Sequence, residues 1–183
     1  SINIDLVSDL HIDAWDKTIG NIYPCGPIKH FPLNWELKVR NKILVVAGDI
    51  ADDLDISISY LNYLTNFYDK VLFVDGNHEH IYAYPDLYDN SEIIRKIREL
   101  KNNKIVYLSN EPFIYNKTVF IGFCGWWDYF NDEELMKKDM NYFKNWREDL
   151  GPKEGIDFMK NVIEEGDRQI EELKELVNKY DKD

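Results

Sequence analysis

The chain has 183 residues, enough for one domain with a core of useful size, and 44% hydrophobic with 31% charged residues is the balance of a folded globular protein. A net charge of −12 excludes a broad electrostatic grip on nucleic acid, which needs clustered Lys and Arg. Cys25 and Cys124 are far apart and outside any CxxC pattern, no apolar run reaches transmembrane length, and the start is strand-like rather than a signal peptide. A reducing cytoplasm with no membrane contact is therefore the expected setting. The excess of Lys over Arg, 17 to 5, matches an AT-rich coding sequence such as a bacterial or phage one.

Ile2 to Val7 reads as a first strand that runs into Ser8-Asp9-Leu10-His11. From Asp9 to Asn41 the breakers Gly20, Pro24, Gly26, Pro27 and Pro32 predict loops, with a short helix near Trp35 to Val39. Trp15, Tyr23, Phe31 and Trp35 could wall a cleft beside Asp9 and His11 or anchor those loops to the core, the commoner use of such residues. Ile43 to Ala47 is a second strand, ending in Gly48-Asp49. Asp52 and Asp53 open a helix with Leu54, Ile58, Leu61 and Leu64 on one face. Val71 to Val74 is a third strand, ending in Asp75-Gly76-Asn77-His78-Glu79. The 29 residues from Asp49 to His78 span one βαβ unit, which makes strands two and three parallel neighbours.

Tyr82, Tyr84, Pro85 and Tyr88 form an aromatic loop, and Ser91 is placed to cap a helix carrying Ile93, Ile94, Ile97 and Leu100. Lys104 to Leu108 is a fourth strand, and Pro112–Tyr115 with Thr118–Phe123 reads as a hairpin. Trp126 and Trp127 could line a cleft or close the core edge. Asp132 begins a helix with Leu135, Met136, Met140, Phe143 and Trp146 inward; Pro152 begins another whose stripe of Ile156, Met159, Ile163, Ile170, Leu173 and Val177 is expected to face the core. There is no internal repeat, and one domain spanning 1–183 is expected.

Three strands thus end directly in carboxylate, imidazole or amide side chains. If they lie parallel, these tips meet along one edge of the sheet. Asp9 and His11 are two apart, so an extended backbone would point both at one ion, and a carboxylate with an imidazole suits Mn, Fe or Zn better than Mg or Ca. Asp49 could bridge two ions and Asn77 could offer its amide oxygen to the second. His78 is a candidate acid, with Asp75 or Glu79 to orient it. His30 and His80 fall outside the pattern as surface or satisfied loop histidines. Each tripeptide alone is a common turn; the ordered set is far more specific.

Asp-Leu-His, Gly-Asp and Gly-Asn-His-Glu, in that order and each after an apolar strand, resemble the calcineurin-like metallophosphoesterase family over Ile2 to about Asp128. The resemblance extends to Phe120-Ile121-Gly122 leading into a Trp-rich segment. It implies an α/β fold, a β-sandwich flanked by helices in four layers (αββα). It also implies Asp9 and His11 as first-metal ligands, Asp49 as the bridging ligand, Asn77 as a second-metal ligand and His78 as the residue acting on the phosphate. The cofactors implied are two divalent metal ions, and the partner a phosphate-ester substrate, nucleic acid entering only as a substrate. Family members carry a further histidine after a later strand and then a Gly-His-x-His segment. This chain has no histidine after His80, and Asp75 stands where proline is frequent.

The chain is accordingly expected to be a C-terminally incomplete domain, with a natural short form as the other explanation. A short form would leave an open sheet edge for another chain to cover. The expected function is metal-dependent hydrolysis of a phosphomonoester or phosphodiester through a dinuclear site. The alternative is a non-catalytic scaffold or interaction module of the same fold, with nucleic-acid binding without chemistry last. The oligomeric state is not readable.

Overall fold

Short runs rich in apolar and β-branched side chains are the sheet-forming segments of this chain, and in the computed structural model they pair as a parallel sheet. The structure describes residues 2–15, 34–144 and 152–181. Expectations for Tyr23, Cys25, His30, Phe31 and Trp146, and for the side chains of Met140 and Phe143, lie outside what is described. The described residues divide into two compact units, Ser1–Tyr82 with Asp89–Cys124, and Ala83–Tyr88 with Gly125–Asp183.

In the first unit, strands β1 (Asp5–Val7), β2 (Ile43–Ala47), β3 (Lys70–Val74) and β4 (Ile105–Tyr107) lie side by side in chain order, all parallel. Short helices α1 (Ile12–Trp15) and α2 (Trp35–Lys38) precede β2. Helices α3 (Leu54–Leu64) and α4 (Asn90–Glu99) are the crossovers before β3 and β4. The register sets Leu44 beside Val71 and Ile105, and Val46 beside Phe73 and Tyr107, so one face carries an unbroken apolar row. Leu44, Val46, Val71 and Phe73 are fully buried there. Each such side chain contributes about 1.5–3 kcal/mol on leaving water.

The opposite face, with Ile43, Val45, Leu72, Val74 and Val106, packs against Phe113 and Phe120. These two come from an antiparallel hairpin, β5 (Phe113–Tyr115) and β6 (Thr118–Phe120). The chain is thus a mixed α/β fold with a parallel sheet, helices and a second small sheet, as the sequence leads one to expect. Asn116 and Lys117 take positive φ, as a two-residue hairpin turn demands.

Two local expectations are corrected. The cap of α4 is Asp89, which accepts from Glu92 N at 2.9 Å, while Ser91 Oγ donates to the same carboxylate at 2.6 Å. Asp89 caps from two positions ahead of Ser91 and reaches the N3 amide of Glu92, so the helix begins at Asn90. Trp35 is buried and its Nε1 donates to Tyr60 Oη at 2.8 Å, so it anchors its loop to α3 and walls no cleft.

In the second unit, helices α5 (Glu133–Lys144) and α6 (Pro152–Tyr180) follow a turn at Tyr129–Asn131. Phe158 of α6 packs on Tyr84 and Trp126, with ring centres 4.8 and 6.1 Å apart. Gly166 admits the Trp126 carbonyl; a Cβ there would sit 2.6 Å from it. Trp126 therefore closes the core, whereas Trp127 is exposed. The apolar stripe of α6 departs from expectation: Met159 is buried, but Ile156, Ile170, Leu173 and Val177 are all exposed. The covered face is that of Phe158, Met159, Val162 and Gln169, and the exposed Ile156 lies within the covered stretch, so periodicity shows the repeat of the apolar stripe and not which side of the helix packs.

Asp5, which interrupts the apolar pattern of β1, ties this edge strand down. It accepts from Arg40 N at 2.9 Å, Asn41 N at 3.3 Å, Asn41 Nδ2 at 2.6 Å and Tyr68 Oη at 3.0 Å. Desolvation alone would raise its carboxyl, but these donors outweigh it and hold the pKa below the ordinary value. A depressed folded-state pKa means stability that is present above the unfolded value of about 3.9 and lost as pH falls through the folded one. Asp5→Asn is expected to lower unfolding free energy by about 2 kcal/mol near neutrality. Urea unfolding as a function of pH should show that gap closing in acid; a gap that persists there would refute the charge-assisted role.

Candidate metal centre

The parallel ladder between β1 and β2 does not stop where the strands do. Asp9 N donates to the Gly48 carbonyl at 3.1 Å, His11 N to Asp49 at 3.1 Å and Ile12 N to Ile50 at 2.8 Å. To make these bonds the chain curls: Asp9, His11 and Asp49 take φ of 53°, 42° and 56°. Left-handed backbone is uncommon for residues other than glycine, and three instances in two adjoining loops mark a site held by its surroundings. The curl corrects the extended geometry expected for Asp-Leu-His. His11 turns in and is half-buried, whereas Asp9 is exposed.

Glu79 holds the second and third loops together. Its Oε2 accepts from Asp49 N at 2.9 Å and Gly76 N at 2.7 Å. Its Oε1 accepts from Ile50 N at 2.7 Å, Ser57 Oγ at 2.8 Å and Ala51 N at 3.4 Å. The residue is fully buried, and burial pushes its carboxyl up to about 6 against the pull of these donors. The loops touch so closely that glycine is required at two positions. A Cβ on Gly48, whose φ is 76°, would lie 2.8 Å from Gly76 Cα, and one on Gly76 would lie 2.1 Å from Asp49 Oδ1.

The result is convergence. His11, Asp49 and His78 each offer a ligand atom, and these lie within 4.8 Å of one another. The imidazoles of His11 and His78 meet edge to face with centres 4.5 Å apart, and His78 N donates to Asp49 Oδ1 at 3.0 Å. Two imidazoles and a carboxylate, all half-buried, are a donor set that a divalent ion fits. Asp9 lies outside this group of three. Asn77 is half-buried beside His78, and its carbonyl accepts from His80 N at 3.2 Å.

His78 is oriented by a residue that the sequence reading assigned only to a helix terminus. Its Nδ1 lies 2.7 Å from Asp52 Oδ1. That hydrogen bond raises the imidazole above its ordinary pKa; burial opposes the shift, and the charges of Asp49, Asp52 and Glu79 add to it. The expectation that Asp75 or Glu79 orients His78 is corrected: Asp52 does. Glu79 is spent on backbone amides, and Asp75 lies 2.7 Å from His80 Nε2 and accepts from Tyr107 Oη at 2.7 Å. Burial would raise the Asp75 carboxyl, but His80 and Tyr107 bring it below its usual value. The helix cap is Asp53 alone, accepting from Asp55 N at 2.8 Å and Ile56 N at 3.4 Å. An Asp-Asp pair at a helix start, with one carboxylate in excess of the cap, was the only available signal.

A family model for calcineurin-like phosphoesterases matches residues 2–180, nearly the whole chain and well past the segment on which the motifs lie. No curated protein matches, and no solved structure does. Among the described residues, no helix is long and apolar enough to cross a membrane.

Because Glu79 supplies acceptors that an amide halves, Glu79→Gln is expected to reduce unfolding free energy by about 3 kcal/mol. Urea denaturation at neutral pH measures this. An unchanged midpoint would mean that the loops hold together without the carboxylate.

Proposed function

The chain belongs to the calcineurin-like phosphoesterase family, and from that membership we propose that it hydrolyses a phosphomonoester or phosphodiester at the His11, Asp49 and His78 cluster. The observation that supports this is the convergence of those three side chains from three separate strand ends. On this reading His11 and Asp49 would be metal ligands, Asp49 shared between two ions, and Asp9 and Asn77 would supply the further ligands. Manganese, iron or zinc suits the mixed imidazole and carboxylate donors. Such ions supply an ionised water and Lewis acidity toward a phosphoryl oxygen.

The chain's own residues contribute the rest. His78 is pinned through Nδ1 by Asp52, so a proton for the departing alkoxide leaves from Nε2. The same carboxylate raises the imidazole's pKa and so favours the protonated form that a general acid needs. Glu79 and the two close-packed glycines fix the loops, so that neither ligand nor acid has to reorganise when substrate arrives. A scaffold without chemistry would have no use for an oriented, charge-supported imidazole. That favours the enzyme reading over an interaction module.

Manganese-loaded protein is expected to cleave nitrophenyl phosphomonoesters or diesters, and Asp49→Asn to lose metal and activity together. Asp52→Asn should lower kcat by roughly 100-fold with KM little changed and the circular dichroism intact. Inactivity of the loaded protein on monoesters, diesters and nucleic acids alike would overturn the enzyme reading. A parallel fall of kcat and folded fraction in Asp52→Asn would reduce Asp52 to a structural role.

A further inference from the structure

A second group of ligand-capable side chains lies in the first unit, built from residues that the phosphoesterase reading does not use. Asp75, His80 and Cys124 each offer one ligand atom, again within 4.8 Å of one another. They come from three places: the end of β3, the 3-10 turn His78–Ala83, and the segment after β6. Asp75 and His80 are buried and Cys124 is half-buried.

The surroundings of this group are organised as those of a metal ligand set are. Asp75 Oδ2 is turned to His80 Nε2 at 2.7 Å. Its other oxygen, Oδ1, is fixed by Tyr107 Oη at 2.7 Å and Ser109 Oγ at 3.4 Å. Burial and the Asp75 charge raise the Tyr107 phenol, so it stays a donor. Tyr107 is itself held by Asn90 Oδ1 at 3.1 Å. One carboxylate oxygen is thus anchored by hydroxyls while the other faces an imidazole with a thiol close by. Outer partners of this type set the direction and basicity of metal ligands. A plain buried Asp–His ion pair would be satisfied without the sulfur.

We propose that Asp75, His80 and Cys124 bind a single zinc-class divalent ion at a site separate from the phosphoesterase centre. The donor mix decides the class: a thiolate selects a borderline-soft ion over Mg or Ca, and carboxylate, imidazole and thiolate together are a zinc set. The ion takes the place of the proton between His80 Nε2 and Asp75 Oδ2 and of the Cys124 thiol proton. Three protein ligands leave a fourth position for water. An ion there ties β3, the turn and the segment after β6 to one another, and so stabilises the folded chain against unfolding.

Cobalt(II) titration of the full chain separates this site from the other by its spectrum, because Asp9, His11, Asp49, Asn77 and His78 contain no sulfur. The wild type is expected to develop a near-ultraviolet thiolate-to-cobalt charge-transfer band whose full intensity is that of one thiolate-bound ion per chain and which is abolished by added zinc. Asp49→Asn and Cys25→Ser should keep the band. Cys124→Ser should lose it while retaining the wild-type circular dichroism, and His80→Gln should weaken cobalt binding at this site by more than about tenfold. No charge-transfer band at saturating cobalt would overturn the proposal, even with every variant unfolded. So would a band that survives Cys124→Ser and disappears in Cys25→Ser.

Discussion

The buried carboxylate of Glu79 is the constraint on which the candidate site depends. A charge with no exposure to water would be strongly unfavourable alone, and it is tolerated because four backbone amides and one hydroxyl converge on it. Those amides belong to two different loops, after β2 and after β3. Satisfying one carboxylate therefore fixes the distance between Asp49 and the Asn77-His78 pair. The short spacing within Gly-Asn-His-Glu follows: the Gly76 amide and the Glu79 carboxylate close a tight turn on themselves, at 2.7 Å, while the remaining acceptor capacity reaches across. Glycine at 48 and 76 is the steric counterpart, since the amides can approach the carboxylate only if the two backbones touch.

The parts of the fold and the site that could be read from the sequence are those written in local pattern. Strands β2 and β3, their parallel order, the hairpin, and the helices at Leu54 and Pro152 rest on runs, periods and turn residues. His11, Asp49 and His78 were legible because each directly follows an apolar run. What was not legible depends on partners distant in the chain. Asp52 is 26 residues from His78, and nothing in its neighbourhood separates a carboxylate that caps a helix from one that orients an imidazole. The five acceptor contacts of Glu79 are equally invisible until two loops are juxtaposed. His80 was read as a satisfied loop residue, which its Asp75 pairing agrees with, but its burial and the nearby thiol could not be foreseen. On α6 the period was legible and the packed side was not, because which side of a helix meets a neighbour is a tertiary quantity.

The turn from Asp75 to His80 gathers ligand-capable groups on a well-bonded segment. Nearly every polar group in it is engaged: Asp75 with His80 and Tyr107, Gly76 N with Glu79, His78 N with Asp49, His78 Nδ1 with Asp52, and His80 N with the Asn77 carbonyl. Three of these bonds, to Tyr107, Asp49 and Asp52, tie the loop to distant parts of the chain. Side chains rooted in it meet ligands without the entropic penalty of ordering a floppy segment. The segment at the carboxyl end of β3 contributes to both sets of ligand-capable groups, through His78 to one and through Asp75 and His80 to the other.

The charge of the chain bears on the reading of its site as well. Across residues 8–13, 48–53 and 75–80 there is no Lys or Arg, while Asp9, Asp13, Asp49, Asp52, Asp53, Asp75 and Glu79 are all acidic. A phosphate ester brought to such a place would meet repulsion from these loops as well as from the net −12 of the whole chain. Phosphate-binding proteins without ions rely on Arg, Lys or a helix N-terminus for attraction, and these loops offer neither cation. The carboxylates instead suit the concentration of cations, and cations held there can reverse the local sign. On the reading proposed above, acidity in this protein is the means by which an anionic substrate is bound.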